Sequence, residues 1–277
     1  DRTMPLITVH DPDDPRLDDY RDLRDRLLRR RAGRFIIETR RLLDRLLDAG
    51  LQPRSVLVEA GRADDAVQRL ADDADVFLAD RQLMTRVAGF AIHTGVLAVA
   101  QRPPNPTLDE LLARAGDRFT LVACSQLKET ANLGAIVRTA AALGAHAMIL
   151  GPQCCDPFYR RAVRVSMGAV FNLPIRRAEN LHDELIRLRE QHNVHAYATV
   201  LDPRATPLTD LKPAPRAALV LGHEIEGLDH DVADACDQLL TIPMQGGADS
   251  LNVAASAAVF LYALTRQNTR RDNPGDA

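Results

Sequence analysis

The 277-residue sequence predicts an α/β protein built in two parts. Apolar runs of strand length alternate with amphipathic runs of helix length, which indicates a largely parallel sheet covered by helices. Three prolines, Pro103, Pro104 and Pro106, stop regular structure between the two parts. We therefore expect one domain over residues 1–104 and a second over residues 105–277.

The first part contains a short series of strands and helices. Arg34–Glu38 predicts a strand, and residues 39–49 predict an amphipathic helix because leucines recur there at helical spacing. The remaining predicted elements are strands at 55–58, 75–78 and 95–100 and a helix through Val67 and Leu70. This is a compact α/β domain near the smallest size that folds alone.

The second part repeats the strand-helix unit. Its predicted strands cover 119–124, 147–150, 194–199, 218–221 and 239–242, and its predicted helices cover 133–143, 183–191 and 252–265. Such alternation predicts a mostly parallel sheet. No G-x-G-x-x-G sequence is present, so the chain lacks the fingerprint of dinucleotide-binding Rossmann domains.

Charge and cysteine usage limit the possible partners. The formal net charge is −3, and the only lysines are Lys128 and Lys212, so any contact with a polyanion must be local and made by arginine. One segment is rich in arginine, and it is either a solvated helix face or a surface that binds successive phosphates. Its arginines are Arg21, Arg24, Arg26, Arg29, Arg30, Arg31 and Arg34. The four cysteines show no C-x-x-C spacing, so we expect neither structural zinc nor a disulfide framework.

Apolar runs in the sequence are too short for a membrane span, which needs about 20 residues. The first residues are acidic rather than apolar, so they do not read as a signal peptide. We therefore expect a cytoplasmic protein with no membrane partner.

The last quarter of the chain contains a pattern typical of a ligand-binding loop. Ile242-Pro243-Met244 ends a strand, Gly246-Gly247 follows, and Ser250-Leu251-Asn252 opens an alanine-rich helix. Glycine allows the backbone to approach a ligand, and Ser250 or Asn252 can cap the helix. A plain structural connector remains an alternative for this segment taken alone.

Two earlier segments strengthen the ligand-loop interpretation. The motifs N-x-G-x-x-x-R, from Asn132 to Arg138, and L-G-x-E-x-x-G-L, from Leu221 to Leu228, both precede I-P-M…S-L-N-V. In this order they resemble the three signature motifs of the SpoU (TrmH-type) branch of the SPOUT RNA methyltransferases, over 119 to about 267. A weaker fourth stretch, Tyr159–Ala169, resembles the segment between the first two motifs.

The first part of the chain is similar to the small L30e-like RNA-binding domain that often precedes the SpoU domain. The likeness rests on residues 34–38 and 92–99, and it departs at Thr39, where the family usually has Gly. The resemblance implies a second domain with a parallel sheet and a deep trefoil knot, an exception to the rule that chains are unknotted. It also implies a homodimer, which suits the close packing that an alanine-rich C-terminal helix allows.

The activity implied by the resemblance is S-adenosylmethionine-dependent methylation of an RNA ribose 2′-hydroxyl, with ribosomal RNA favoured over tRNA. In the cofactor site, backbone at Gly222, Ile242 and Leu251 would hold the adenosine. The residues that would line its pocket are Thr199, Leu221 and Met244. No metal is implied.

Arg138 matches the essential arginine of the family. Because arginine stays protonated in proteins, we expect it to stabilise the forming alkoxide and grip the adjacent phosphate rather than act as a base. Glu224 is expected to orient Arg138 or a ribose hydroxyl. The other polar motif positions are Asn132, Ser250 and Asn252, and the last two are expected to hold the loop and the reacting nucleotide.

His223 departs from the family pattern, which often has Asn at this position. The imidazole is either a base that titrates near neutral pH or a tolerated variation beside the cofactor.

Three alternatives to a housekeeping ribosomal RNA enzyme remain open: a tRNA 2′-O-methyltransferase, an inactive RNA-binding SPOUT protein, and an antibiotic-resistance ribosomal methyltransferase. An α/β-hydrolase is excluded because residues 222–227 contain no nucleophile. The sequence does not identify the modified nucleotide.

Overall fold

A computed structural model of the chain describes residues 6–21, 33–62, 69–70, 74–246 and 249–269, with side chains as far as residue 265. The chain divides into two compact units. The first comprises Asp1–Pro104 and Phe158–Phe171, and the second comprises Asn105–Pro157 and Asn172–Ala277. The arginine-rich segment lies in large part outside the described residues, as does Val67 of the expected helix.

The described strands, in chain order, are β1 (Leu6–Thr8), β2 (Arg34–Ile37), β3 (Pro53–Glu59), β4 (Asp75–Ala79), β5 (Val96–Gln101), β6 (Phe119–Cys124), β7 (Ala147–Leu150), β8 (Ile175–Arg177), β9 (His195–Thr199), β10 (Thr206–Pro207), β11 (Arg216–Leu221) and β12 (Gln238–Thr241). The described α-helices are α1 (Arg40–Asp48), α2 (Arg81–Ala88), α3 (Leu108–Leu112), α4 (Thr130–Ala142), α5 (Arg160–Val165), α6 (Leu181–His192), α7 (His230–Asp234) and α8 (Val253–Thr269). Short 3-10 helices occur at Pro15–Tyr20, Ala169–Phe171 and Leu208–Asp210.

The first unit contains a five-stranded mixed sheet in the order β1-β4-β3-β5-β2. Strands β1, β4 and β3 run parallel, whereas β5 is antiparallel to β3 and β2. Helix α1 begins where Thr39 accepts a hydrogen bond from the Leu42 N–H. Its buried leucines, which the sequence pattern identified, form the face that points away from solvent.

Residues 158–171 belong to this first unit although they follow β7 in the chain. The ring of Phe35 on β2 lies 5.0 Å from the Phe158 ring and 5.8 Å from the Phe171 ring, centroid to centroid. Arg160 pairs with Glu38 at 2.5 Å and lies over the Phe90 ring. Contacts between aromatic rings therefore hold α5 on β2. Residues 158–171 thus belong to the first unit, although the sequence predicted a single second domain over residues 105–277.

The second unit contains a seven-stranded sheet in the order β10-β12-β9-β11-β6-β7-β8, and every described pairing in it is parallel. Helices α3, α6 and α7 contribute leucine and valine to one core with β6, β7 and β11. Helix α8 packs against α4 and contacts β6 and β11. The predicted parallel sheet is therefore confirmed.

Most predicted elements occur within a few residues of their expected bounds, and β6 and β7 match them. Helix α4 begins at Thr130 rather than at residue 133, and α8 continues to Thr269. The elements β1, β8, β10, α3, α5 and α7 were not predicted, and they are short, with at most six residues each. Helix α2 was also not predicted, although its buried residues recur at helical spacing between Asp80 and Gly89, which cap its two ends. None of the described helices combines the length and apolar character that crossing a membrane requires.

Candidate active site

The polar motif residues lie at one edge of the seven-stranded sheet. Because the strands are parallel, their carboxyl ends meet at that edge. Leu221 at the end of β11 is paired with Cys124 at the end of β6, and Leu240 of β12 is paired with Thr199 at the end of β9. The loops that follow these strands are therefore neighbours in space, although they are far apart in sequence.

The loop after β11 is a tight turn closed by its own backbone. The His223 N–H donates to the Gly227 carbonyl at 2.7 Å, and the Gly227 N–H donates back at 3.1 Å. A Cβ on Gly222 would lie 2.3 Å from the carbonyl carbon of Gly227, so no other residue fits there. The motif glycine is thus required by the close approach of two backbone segments.

His223 holds the tip of this loop through its imidazole. Its Nδ1 atom accepts hydrogen bonds from the N–H groups of Ile225 and Glu226, both at 3.2 Å. An Nδ1 that accepts two hydrogen bonds carries no proton, so the ring proton of the neutral tautomer is on Nε2. This geometry favours a role in shaping the loop over a role as a base.

Glu224 connects the loop after β11 to the start of α4. Its Oε1 accepts from the Glu129 N–H at 3.1 Å and from the Asn132 side chain at 3.2 Å. Its Oε2 accepts from the Lys128 N–H at 3.4 Å. In turn, the side-chain Oδ1 of Asn132 accepts from the Asn252 Nδ2 at 3.2 Å. One residue from each of the three motifs therefore takes part in a single hydrogen-bonded chain.

The hydrogen bonds keep Glu224 ionised. Partial burial opposes ionisation, but donors from its own backbone, Asn132, Glu129 and Lys128 outweigh that effect, so the pKa of Glu224 lies below its ordinary value of 4.5. A charged carboxylate also suits the positive end of the α4 dipole. Glu224 thus acts as a distant cap for α4, which has no side-chain cap of its own.

Arg138 lies on α4, two turns beyond this junction, and it is exposed. Among the described residues it makes no ion pair or hydrogen bond, and Glu224 contacts Asn132 instead of Arg138. Of the two roles expected for Glu224, a direct bond to Arg138 does not occur among the described residues, and contact with a ribose hydroxyl stays a prediction. Through Asn132, Glu224 orients the helix that carries Arg138. A free guanidinium can bind an incoming anion bidentately.

The third motif supplies a cap and an apolar surface. Asn252 caps α8, because its Oδ1 accepts from the Ala254 N–H at 2.9 Å. Ser250 is exposed, Ile242 and Met244 are partly buried, and Leu251 exposes 43% of its surface to solvent. Residues 247–248 of the glycine-rich loop lie outside the described part of the chain.

The predicted cofactor residues at the ends of β9 and β11 differ in exposure. The Thr199 hydroxyl donates to the Val220 carbonyl at 3.0 Å, which ties the ends of these two strands together. Leu221 is fully buried, and its carbonyl accepts from the Ser125 N–H at 2.9 Å. Partly buried apolar side chains at Ile242 and Met244 and the exposed Leu251, beside the glycine loops, fit a flat, apolar ring such as adenine.

The backbone of Lys128 and Glu129 takes part in the site, which the sequence did not predict. Their N–H groups bind Glu224, yet any residue type has such a group, so no sequence signal marks them. In the described part of the chain, no group of three or more His, Cys, Asp or Glu side chains is arranged to hold a metal ion.

Comparison with known proteins identifies two family matches. The model described as the SpoU rRNA Methylase family matches residues 120–262, and the model described as an MRM3-like substrate binding domain matches residues 14–98. The first match covers all three motifs.

Individual relatives extend over most of the chain. An uncharacterized tRNA/rRNA methyltransferase of Mycobacterium bovis is 37% identical over 93% of this chain and 91% of its own length. The 23S rRNA (guanosine-2′-O-)-methyltransferase of Acinetobacter baylyi is 32% identical over 78% of this chain and 92% of its own length. The crystal structure of an AdoMet-bound rRNA methyltransferase from Sinorhizobium meliloti superimposes with a TM-score of 0.82 at 26% identity, covering 95% of this chain and 98% of that one.

Proposed function

This chain belongs to the SpoU rRNA methylase family, and we propose that it methylates a ribose 2′-hydroxyl in ribosomal RNA. It is an RNA methyltransferase that uses S-adenosylmethionine as its methyl donor. The 23S rRNA relative that modifies guanosine supports ribosomal RNA as the substrate, and a substrate of this kind favours a cytoplasmic location.

The chemistry requires a bound cofactor, an oriented hydroxyl and a means of stabilising negative charge. When bound, S-adenosylmethionine supplies an activated methyl group. Gly222, Ile242 and Leu251 would hold its adenosine through backbone groups, beside Thr199, Leu221 and Met244. Their position at the carboxyl ends of parallel strands supports this assignment.

Arg138 would act on the nucleotide. As the 2′-oxygen forms its bond to the methyl carbon, the carbon-sulfur bond breaks and the hydroxyl loses its proton. Arg138 would stabilise the developing alkoxide and hold the adjacent phosphate, which would help to take the proton. Asn132, Glu224 and Asn252 would keep the first and third motifs aligned, and Ser250 would contact the nucleotide from the third.

The single observation that carries the proposal is the contrast between Arg138 and the other polar motif residues. Glu224, Asn132 and Asn252 satisfy one another through hydrogen bonds, whereas Arg138 is exposed and makes no bond to a described residue. A cation left available beside a rigid polar centre is arranged for an anionic substrate.

The test is transfer of labelled methyl from S-adenosylmethionine to unmodified ribosomal RNA and to tRNA, with calorimetry of cofactor binding. We expect label in ribosomal RNA, and a loss of about 100-fold in rate for Arg138→Ala with cofactor affinity retained. Arg114→Ala is the matched control, because Arg114 is also exposed and makes no ion pair within the described residues.

Other outcomes point to other functions. Label in tRNA alone would replace the ribosomal substrate with a tRNA. Cofactor binding without label in either pool would point to another RNA, such as an assembly intermediate. Failure to bind the cofactor would leave an RNA-binding protein without transfer activity.

The proposal includes a homodimer and a knotted second unit. Helix α8 presents Ala255, Val259 and Tyr262 to solvent at successive turns, and the two larger side chains expose 44% and 61% of their surface. Apolar side chains aligned on one helix face favour burial against a second copy. The trefoil knot implied by the family stays a prediction.

A further inference from the structure

The loop that precedes α4 is braced by the loop that follows β7. Because Leu150 of β7 pairs with Cys124 of β6, the loops after these strands run side by side. The Gly151 N–H donates to the Cys124 carbonyl at 2.8 Å, and the Cys155 N–H donates to the Leu127 carbonyl at 2.7 Å. Residues 151–155, called here the brace loop, thus hold residues 124–129, called here the helix-entry loop.

A buried thiol adds to this contact. The Cys154 Sγ donates to the Cys124 carbonyl at 3.2 Å and accepts from the Leu127 N–H at 3.4 Å. Burial raises the pKa of Cys154, so the thiol keeps its proton at neutral pH and remains a donor. The two loops also approach so closely that a Cβ on Gly151 would lie 2.5 Å from the Ser125 carbonyl oxygen.

Arg177 holds the brace loop from its other side. Its guanidinium donates to four backbone carbonyls of that loop, at 3.2 Å to Gly151, 3.4 Å to Pro152, 3.1 Å to Cys154 and 3.0 Å to Cys155. One planar group that satisfies four carbonyls fixes the loop in a single shape, which an ammonium group could not do.

The backbone of Arg177 is itself fixed by Asn105. The Asn105 side chain accepts from the Arg177 N–H at 2.7 Å and donates to the Arg177 carbonyl at 3.0 Å. This pair of bonds satisfies the backbone N–H and carbonyl groups of Arg177 on β8, the edge strand of the sheet. With its donors directed at backbone carbonyls, the guanidinium is engaged in structure and is not arranged to bind RNA.

We propose that Arg177 is a positioning residue for methyl transfer, acting through the brace loop on the helix-entry loop. The helix-entry loop contains Lys128 and Glu129, whose N–H groups bind Glu224, and it leads into the helix that carries Arg138. A displacement of about 1 Å in a reacting group can reduce a rate about 100-fold. This inference rests on the proposed function and deepens it.

The test compares two conservative variants of neighbouring arginines. Arg177→Lys keeps the charge but loses the four-carbonyl contact. Arg176→Lys is the matched control, because Arg176 lies on the same strand but bonds to Glu184 and to the Pro106 carbonyl instead of the brace loop. The rate is measured in a single turnover at saturating cofactor and RNA.

For Arg177→Lys we expect a rate at least about tenfold lower, with cofactor affinity within about threefold of the wild type. We also expect faster hydrogen exchange in residues 124–132. Arg176→Lys should show neither change. Gly151→Ala, which pushes on the helix-entry loop directly, should reproduce the rate loss with cofactor binding retained.

Hydrogen exchange and methyl transfer together distinguish a failure of the positioning role of Arg177 from a failure of the proposed function. If residues 124–132 exchange at the wild-type rate in Arg177→Lys, the proposal is overturned whatever reaction the protein catalyses. If exchange accelerates but transfer by the variant equals that of the wild type, Arg177 supports the loop without positioning the reaction. If the wild-type protein methylates no RNA, the proposed function fails, and the exchange result still decides whether Arg177 holds the loop.

Discussion

At the scale of single residues, the motif side chains divide into those that hold the site and one that is available to a substrate. Glu224, Asn132 and Asn252 bond to one another. Arg138 stays exposed. Removing one of the bonded residues should therefore act on stability and alignment together, whereas removing Arg138 should act on transfer alone.

Glu224 provides a prediction about pH. Because its pKa is lowered in the folded protein, its contribution to stability is fully present above its ordinary pKa of 4.5 and is lost as pH falls through the lower folded value. Glu224→Gln should destabilise the protein by about 1 kcal/mol at neutral pH, since its amide cannot accept from Lys128 and Glu129 together. The difference should stay constant down to about pH 5.5 and shrink below about pH 4.5.

Urea denaturation of both proteins across this pH range measures the effect. Glu179→Gln is the control, because Glu179 is exposed and forms no hydrogen bond or ion pair with the described residues. A Glu224→Gln difference that does not shrink in acid would contradict the assignment of an ionised carboxylate.

His223 provides a prediction about the loop. The Nδ1 of histidine and the Oδ1 of asparagine stand at the same number of bonds from Cβ, and both accept hydrogen bonds. His223→Asn should therefore keep the bonds to Ile225 and Glu226, and cofactor affinity should stay close to that of the wild type. His223→Ala should weaken cofactor binding about fivefold, since about 1 kcal/mol of loop stabilisation is lost.

Calorimetry with S-adenosylmethionine measures both His223 variants. Methyl transfer measured beside it distinguishes the two roles considered for the imidazole. Transfer abolished in His223→Asn with normal cofactor affinity would show that the ring acts as a base.

At the scale of elements, the first residue of some helices can be predicted from the sequence and that of others cannot. Asn252 caps α8 with its own side chain, and the local sequence predicted a cap at either Ser250 or Asn252. Helix α4 starts at Thr130, earlier than predicted, because the free N–H groups before it are bound by Glu224. That carboxylate lies 95 residues from Glu129 in the chain, so no local pattern reports it.

The strands show the same contrast. β6, β7 and β11 are fully or nearly fully buried apolar runs, and the sequence identified all three. β8 and β10 are short edge strands of the same sheet, and none of their residues is fully buried. They therefore lack the apolar run by which a buried strand is predicted. Yet β8 carries Arg177, the residue to which we assign the positioning role.

At the scale of the whole molecule, the exposed face of α8 predicts self-association. The wild-type protein should scatter light at micromolar concentration with about twice the chain mass of 30.5 kDa. Tyr262→Glu should dissociate it, because a charge buried in an apolar contact is costly. Tyr262→Phe is the control and should remain dimeric. A monomeric wild type would contradict the dimer, and a dimeric Tyr262→Glu would move the interface away from this face.

The sequence by itself determined the α/β class, the parallel second sheet and the motif residues, because hydrophobic periodicity and motif spacing are local properties of the chain. The tertiary structure decided which polar groups meet. Asn132 reaches Glu224 across 92 residues and Asn252 across 120, and residues 158–171 pack in the first unit. These contacts follow from strand order and register, which fix the loops that become neighbours and are set only when the whole sheet forms.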